Sequence, residues 1–174
     1  MSDTRNPRTA EAGKATGLAR LISTVCLLAW MLLIFGFSGQ NGEESGGLSD
    51  KVCHVIVSAA ETVTGSDWDE AKELELADAI SYPVRKCAHM TEYAILAGLA
   101  FAMLYCYGVK GWKRYAFSII IAFVYASCDE LHQLFVSERS GKFTDVLIDT
   151  AGATIMMMVI YVIGICRRRK SAVS

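Results

Sequence analysis

Ionisable side chains stand at helical spacing inside an otherwise apolar part of the chain. In the stretch RKCAHMTEY, residues Arg85, His89 and Glu92 occupy positions i, i+4 and i+7, so a helix carries all three on one face. Charged side chains within a membrane-length helix are costly, and they usually mark a functional site. This face is therefore the first candidate for chemistry.

Two more polar patches follow along the chain. One predicted helix carries four polar side chains on one face, and Glu130 points about 100° away from them: Tyr125, Asp129, His132 and Gln133. Another helix begins with Asp145 and Asp149 at i, i+4, with Gly152 on the same side.

Three kinds of chemistry fit these residue types. The basic side chains suit the phosphate of a lipid head group or a lipid-linked precursor: Arg85, Arg139 and Lys142. Either histidine can form an acid/base pair with a carboxylate that orients its imidazole. The same histidines and carboxylates can ligate a metal, but their spacing is not that of a familiar zinc motif. We rank the metal below the other two.

The candidate residues divide by expected role. Acid/base catalysis is predicted for four of them: His89, Glu92, Asp129 and His132. Ligand binding is predicted for the rest: Arg85, Lys86, Tyr93, Glu130, Gln133, Arg139, Asp145 and Asp149. We predict no metal site, no cofactor and no nucleic-acid partner.

Hydropathy indicates what holds these residues. The chain has 174 residues, of which 53% are hydrophobic, and its mean hydropathy of +0.34 is high for a soluble domain of this length. Four segments approach the roughly 20 apolar residues that a membrane-spanning helix needs: Leu18–Phe37, Cys87–Tyr107, Tyr115–Val136 and Val146–Cys166. We therefore predict an all-α integral membrane four-helix bundle.

The loop between the first two spans has its own pattern. Ser49 is a suitable N-cap for a short amphipathic helix that ends at Gly65, with an apolar stripe at Val52, Val55, Ile56, Ala59, Ala60 and Val63. This helix is expected in the outer interface or as a lid on the bundle. A second short helix is predicted to start at Ser66 to Asp69 and to end at Tyr82 and Pro83.

Charge distribution predicts the orientation. Basic residues lie before the first span, between the second and third, and after the fourth, whereas the loop after the first span is acidic. The positive-inside rule then places both termini in the cytoplasm. We divide the chain into a cytoplasmic tail (1–17), a membrane domain (18–166) and a basic cytoplasmic tail (167–174).

This orientation brings the polar patches to one depth. All of them fall within about 10 Å of the outer boundary, at 1.5 Å per helical residue. They are expected to meet in a polar pocket that opens to the outer leaflet. The alternative is a charge network that only holds the bundle together, although buried ion pairs are weak evidence for stability.

Three segments of the chain resemble the VanZ-like family: FSGQNGEES after the first span, RKCAHMTEY, and SCDELHQLFVSERSGKFTDVLIDTAG from Ser127 to Gly152. The family's motif residues match at Arg85, Lys86, His89, Glu92, Tyr93, Asp129, Glu130, His132, Gln133, Arg139, Asp145 and Gly152. Ser137 and Glu138 stand before Arg139 where the family pattern often has Pro-Gly. The resemblance implies a small multi-pass protein of the bacterial plasma membrane, linked through the founding member to teicoplanin-type glycopeptide resistance.

The resulting functional hypothesis is a cell-envelope protein whose outer-leaflet pocket binds or processes an anionic lipid or lipid-linked cell-wall intermediate. Whether a reaction is catalysed stays open. The rival is a non-catalytic membrane scaffold or partner-binding protein, with a membrane partner or a second copy as its partner. A transporter is disfavoured, because four helices without an evident internal repeat do not suit a monomeric one.

Overall fold

The structure is a computed structural model that describes the backbone of residues 7–39, 42–136 and 141–173, and the side chains of residues 16–39, 47, 49–136 and 141–170. Within these ranges the chain forms five helices and no strand: α1 (Pro7–Ser38), α2 (Gly42–Thr64), α3 (Glu70–Cys106), α4 (Trp112–Gln133) and α5 (Phe143–Val173). The predicted all-α class is confirmed.

Three helices contain stretches that are long and apolar enough to cross a membrane. These stretches are Thr16–Ser38 of α1, Glu70–Cys106 of α3 and Phe143–Lys170 of α5. Helix α4 coincides with the predicted third span, but Arg114 near its start and Asp129 near its end shorten its apolar stretch. The chain is thus a membrane protein by length and composition of its helices, and the fourth span stays a prediction.

Helix α3 is the central element, since it packs against each of the other four helices. Small side chains make this packing close: Ala97 and Ala100 of α3, Ala122 and Ala126 of α4, and Ala153 of α5 are fully buried. Small residues let helix backbones approach in a membrane, where no hydrophobic effect drives helices together. This part of the bundle sets the positions of the polar residues beside it.

The predicted helix boundary at Tyr82 and Pro83 is wrong. Helix α3 begins after the N-cap Asp69, whose side chain accepts a hydrogen bond from the Lys72 amide at 2.9 Å, and it runs through Pro83 to Cys106. Proline inside a helix removes one backbone hydrogen bond. The helix continues because Ile80 and Val84, on either side of Pro83, pack against α2.

Helix α2 is longer than predicted, since it begins at Gly42 rather than at Ser49, and it packs differently from the prediction. Its buried residues are Cys53 and Val57, which contact the first half of α3. The predicted apolar stripe is exposed instead, with Val55 69% and Val63 86% accessible. The predicted end at Gly65 is confirmed by its φ of 65°, which favours glycine. α2 and the first half of α3 therefore form a helical hairpin.

Candidate functional site

Polar side chains from α1, α3, α4 and α5 meet at one level of the bundle. We call this group the polar cluster; its members are Ser38, His89, Glu92, Tyr93, Asp129, His132, Gln133 and Asp149. The most deeply buried carboxylates are Asp129, 3% exposed, and Asp149, 2% exposed. The structure thus brings together side chains that the sequence places on separate helices.

Asp129 is at the centre of the polar cluster. Its Oδ2 accepts a hydrogen bond of 2.6 Å from the Ser38 hydroxyl, and Gln133 Nε2 donates to Ser38 Oγ at 3.0 Å and to Asp129 Oδ2 at 3.4 Å. All three side chains are buried. Bonds that involve a charged group and exclude water are stronger than exposed neutral ones. This network joins the C-terminal ends of α1 and α4.

Several polar atoms beside Asp129 have no partner in the part of the chain that the structure describes. The Tyr93 hydroxyl is fully buried and interacts with the Asp129 carboxylate, but it does not reach the geometry of a full hydrogen bond, and Asp129 Oδ1 has no such partner among the described residues either. His132 stacks on Phe35 with ring centroids 4.3 Å apart, and its Nδ1 is buried without a partner. Unsatisfied buried polar groups are rare, and each costs about 1–3 kcal/mol.

Helix α1 supplies residues that the sequence analysis missed. Ser38 holds Asp129, and Trp30 Nε1 donates a hydrogen bond of 3.0 Å to the backbone oxygen of Glu92. The Tyr125 hydroxyl donates to Met31 O at 2.5 Å. The available signal for Ser38 was its place in FSGQNGEES, directly after an apolar run. The prediction that Tyr125, Asp129, His132 and Gln133 share one face is confirmed, since all four contact α1.

The proposed acid/base pair on α3 forms a loose contact. His89 Nδ1 lies 3.5 Å from Glu92 Oε2, and both side chains are about a fifth exposed. Asp149 of α5 interacts electrostatically with His89, Asp129 and Glu130. A histidine beside carboxylates, partly open to solvent, has the composition of an acid/base site.

Glu130 points away from the polar cluster, as the 100° step per residue predicts. Its Oε2 accepts a hydrogen bond of 2.8 Å from the Lys142 amide at the start of α5. Nearby, Lys86 Nζ and Asp145 Oδ2 form an ion pair at 2.5 Å that links α3 to α5. An open cavity of about 350 Å³, which we call the α4–α5 groove, is lined here mainly by Glu130, Leu131, Leu134, Lys142, Phe143 and Val146.

Two glycines allow the backbones to approach beside these sites. A Cβ added at Gly152 would overlap the Met90 carbonyl group, and one added at Gly141 would overlap the Glu130 carbonyl oxygen. Gly152 therefore lets α5 lie directly on α3, between the levels of Asp149 and the alanine core. Gly141 does the same for the start of α5 against the end of α4.

One protein-family model matches most of the chain. The family model described as VanZ/LLP1 matches residues 23–164, which cover all the residues of the polar cluster. The chain belongs to the VanZ/LLP1 family. No curated protein and no solved structure is a significant match to it.

The predicted phosphate-binding set of this VanZ/LLP1 chain is not assembled at one point by the described residues. Arg85 lies beside Cys53 of α2, and its buried Nε has no hydrogen-bond partner among the described side chains and backbone. Lys142 is exposed at the α4–α5 groove. Arg139 lies outside the described residues, as do Ser137 and Glu138.

The metal alternative finds no geometric support within the described ranges of the VanZ/LLP1 chain. No three of the His, Cys, Asp and Glu side chains described there converge closely enough to hold an ion. The described cysteines are all free thiols, and they give no disulfide that would constrain the site.

Proposed function

We propose that this VanZ/LLP1 chain is a cell-envelope membrane protein whose polar cluster binds or processes the anionic head group of a lipid or of a lipid-linked cell-wall intermediate. The observation that carries the proposal is a set of buried polar atoms that have no hydrogen-bond partner among the described residues. Three of these can donate: the Tyr93 hydroxyl and His132 Nδ1 within the cluster, and Arg85 Nε outside it, on the side of α3 that faces α2. Networks that serve only to hold helices together normally satisfy such groups.

An anionic head group matches these unused donors. A phosphate or carboxylate oxygen accepts hydrogen bonds from tyrosine, histidine and arginine, and it would relieve the cost of leaving them buried and unpaired. Two donors lie around Asp129, whose own carboxylate is held by Ser38 and Gln133. His89 with Glu92, at the more open edge of the cluster, is the pair placed to move a proton on a bound ligand.

The proposed role extends to glycopeptide susceptibility. A protein that binds or alters a lipid-linked cell-wall intermediate changes the amount or form of the glycopeptide target at the outer leaflet. Cells that carry the chain are therefore expected to differ in teicoplanin susceptibility from cells that lack it. Unchanged susceptibility would restrict the function to general envelope lipids.

The test combines ligand identification with variants of the cluster. Lipids that co-purify with the full chain in mild detergent are identified by mass spectrometry, and single alanine variants are compared: His89→Ala, Glu92→Ala, Asp129→Ala and His132→Ala. We expect each variant to accumulate in the membrane and to lose an anionic lipid that the unaltered chain retains. Asp78→Ala, an exposed change on the first half of α3, is the matched control.

The second candidate is a scaffold whose charged residues are structural. It is favoured by the satisfied part of the site, namely the Lys86–Asp145 pair and the Ser38–Asp129–Gln133 network. The exposed stripe on α2, with Val55 and Val63, would then bind a membrane partner or a second copy. Failure of all four alanine variants to accumulate, with no lipid retained by the unaltered chain, supports this scaffold instead.

A further inference from the structure

The α4–α5 groove combines a buried carboxylate with apolar walls. Glu130 is only 8% exposed, yet it lines the groove, and the backbone of Lys142 is its one described hydrogen-bond donor. A buried carboxylate can accept about four hydrogen bonds and needs a compensating positive charge. The groove therefore has unused capacity for a cationic donor.

The walls of the groove limit what kind of molecule can bring that donor. Leu131, Leu134 and Phe143 line it, and each is more than half exposed on the outside of the bundle. They continue the apolar outer surface of α4 and α5, which includes Val124 and Leu147. In a membrane protein such a surface contacts lipid. An occupant that enters from this side is an amphiphile of the bilayer.

Local charge decides between head groups. Glu130 interacts electrostatically with Asp145 and Asp129, which add negative potential, and with Lys86, which already pairs with Asp145. A purely anionic head group would meet this surplus of carboxylates. A protonated primary amine carries a positive charge and three N–H donors, and it complements Glu130. The exposed Lys142 at the groove is suited to the phosphate of the same head group.

From this complementarity we propose that the α4–α5 groove binds a membrane phospholipid with a primary-amine head group, of the phosphatidylethanolamine type, with Glu130 as counter-ion of the ammonium group. The acyl chains lie along Leu131, Leu134 and Phe143. This site does not depend on the proposed function, because Glu130 faces α5 whereas Asp129 faces α1 and α3. The two sites also differ in what they offer a ligand: unused donors in the polar cluster and an unused acceptor in the groove.

The experiment titrates the detergent-purified full chain with three short-chain phospholipids and measures their affinities. The probes are phosphatidylethanolamine, the same lipid with its amine acetylated, and phosphatidylglycerol. We expect phosphatidylethanolamine to bind about tenfold more tightly than either of the others, which corresponds to about 1.4 kcal/mol. Equal affinity for all three lipids would overturn the proposal, because it would show that the amine is not recognised.

Variants assign the preference to the groove. Glu130→Gln removes the charge but keeps an oxygen that can accept from the Lys142 amide, so we expect it to fold and to lose the tenfold preference. Glu75→Gln is the matched control: it makes the same chemical change at an exposed site on the first half of α3, and it should keep the preference. A preference that survives Glu130→Gln, or that falls equally in Glu75→Gln, contradicts the proposal.

Two further variants keep the test decisive if Glu130→Gln does not accumulate. Leu134→Trp fills the groove from an exposed position and should weaken binding of phosphatidylethanolamine, whereas unchanged binding would place that lipid elsewhere. Tyr93→Phe removes a donor of the polar cluster, so it should lose the anionic lipid of the proposed function and keep the preference for the amine. Loss of both in Tyr93→Phe would contradict a separate groove site, while loss of neither would contradict the proposed function alone.

Discussion

Asp129 and Glu130 are neighbours in sequence, are both almost fully buried, and lie in opposite chemical surroundings. Asp129 accepts hydrogen bonds from Ser38 and Gln133 and lies next to buried donors that have no described partner. Glu130 accepts one backbone hydrogen bond and faces an apolar groove. The 100° turn between adjacent helical residues sends one carboxylate towards α1 and α3 and the other towards α5.

Under the two proposals, one short segment would serve two sites. At the polar cluster, Ser38 of α1 and Gln133 of α4 hydrogen-bond to one oxygen of Asp129, and the donors beside it have no described acceptor. At the groove, Glu130 itself is the acceptor with unused hydrogen-bonding capacity. Under these proposals, the polar cluster and the groove would bind ligands of opposite charge at the same depth in the bundle.

The largest expected effect comes from a change that disturbs both regions at once. Gly152→Ala places a methyl group against the Met90 carbonyl, so α3 and α5 must separate and both the His89–Asp149 and the Lys86–Asp145 approaches widen. We expect the free energy of unfolding in detergent to fall by about 3 kcal/mol, at the upper end for overpacking.

The control for this change is on the same helix. Gly164→Ala meets no atom within 4 Å and replaces a glycine inside a helix, so it should be neutral or stabilising by up to about 1 kcal/mol. Equal effects at the two glycines would show that α3 and α5 are not in close contact at Gly152.

A smaller effect is expected from changes at Asp129, and it tests whether the polar cluster and the groove are independent. Asp129→Ala removes the acceptor of the Ser38 hydroxyl, and it should lower the free energy of unfolding by about 2 kcal/mol. Asp129→Asn keeps an oxygen at the same place and should cost less. Thermal unfolding of Asp129→Ala, Asp129→Asn and Glu130→Gln measures this ordering. If Glu130→Gln lowered the free energy of unfolding as much as Asp129→Ala does, the polar cluster and the groove would be one network.

Ser38→Ala tests the contribution of α1 to the polar cluster. It removes the 2.6 Å hydrogen bond to Asp129 and the acceptor of Gln133 Nε2. We expect the free energy of unfolding to fall by about 1 kcal/mol. Ser118→Ala is the matched change at another buried serine, whose hydroxyl donates, among the described residues, to Arg114 O of its own helix. If Ser118→Ala lowered the free energy of unfolding as much as Ser38→Ala or more, the bond from Ser38 to Asp129 would not stabilise the cluster beyond what any buried serine does.

The smallest expected effect concerns the ion pair between the two regions. A double-mutant cycle with Lys86→Met and Asp145→Asn should give a coupling energy of about 1 kcal/mol, because both side chains are largely screened from solvent. The same cycle at the exposed pair Lys72 and Glu75 should give about 0.3 kcal/mol. A larger coupling at the exposed pair would mean that Lys86 and Asp145 do not hold α3 to α5.

Much of the fold followed from local pattern. Apolar runs predicted α1, α3, α4 and α5, and the 3.6-residue repeat correctly placed Tyr125, Asp129, His132 and Gln133 on one face. The boundary at Pro83 was wrong because a proline's cost is local, whereas the packing of Ile80 and Val84 on α2 that outweighs it is not. The close approach of α3 and α5 at Met90 and Gly152 depends on how the two helices pack, which no pattern within either helix specifies.

What the sequence determined by itself is the set of helices and the common level of their charges, because hydropathy and helical periodicity are properties of neighbouring residues. The tertiary structure alone decided which charges meet which partners. Ser38 and Asp129 are 91 residues apart, and no local pattern links them. Their contact depends on how α1 packs on α4, and that packing depends on the shapes of side chains from several helices at once.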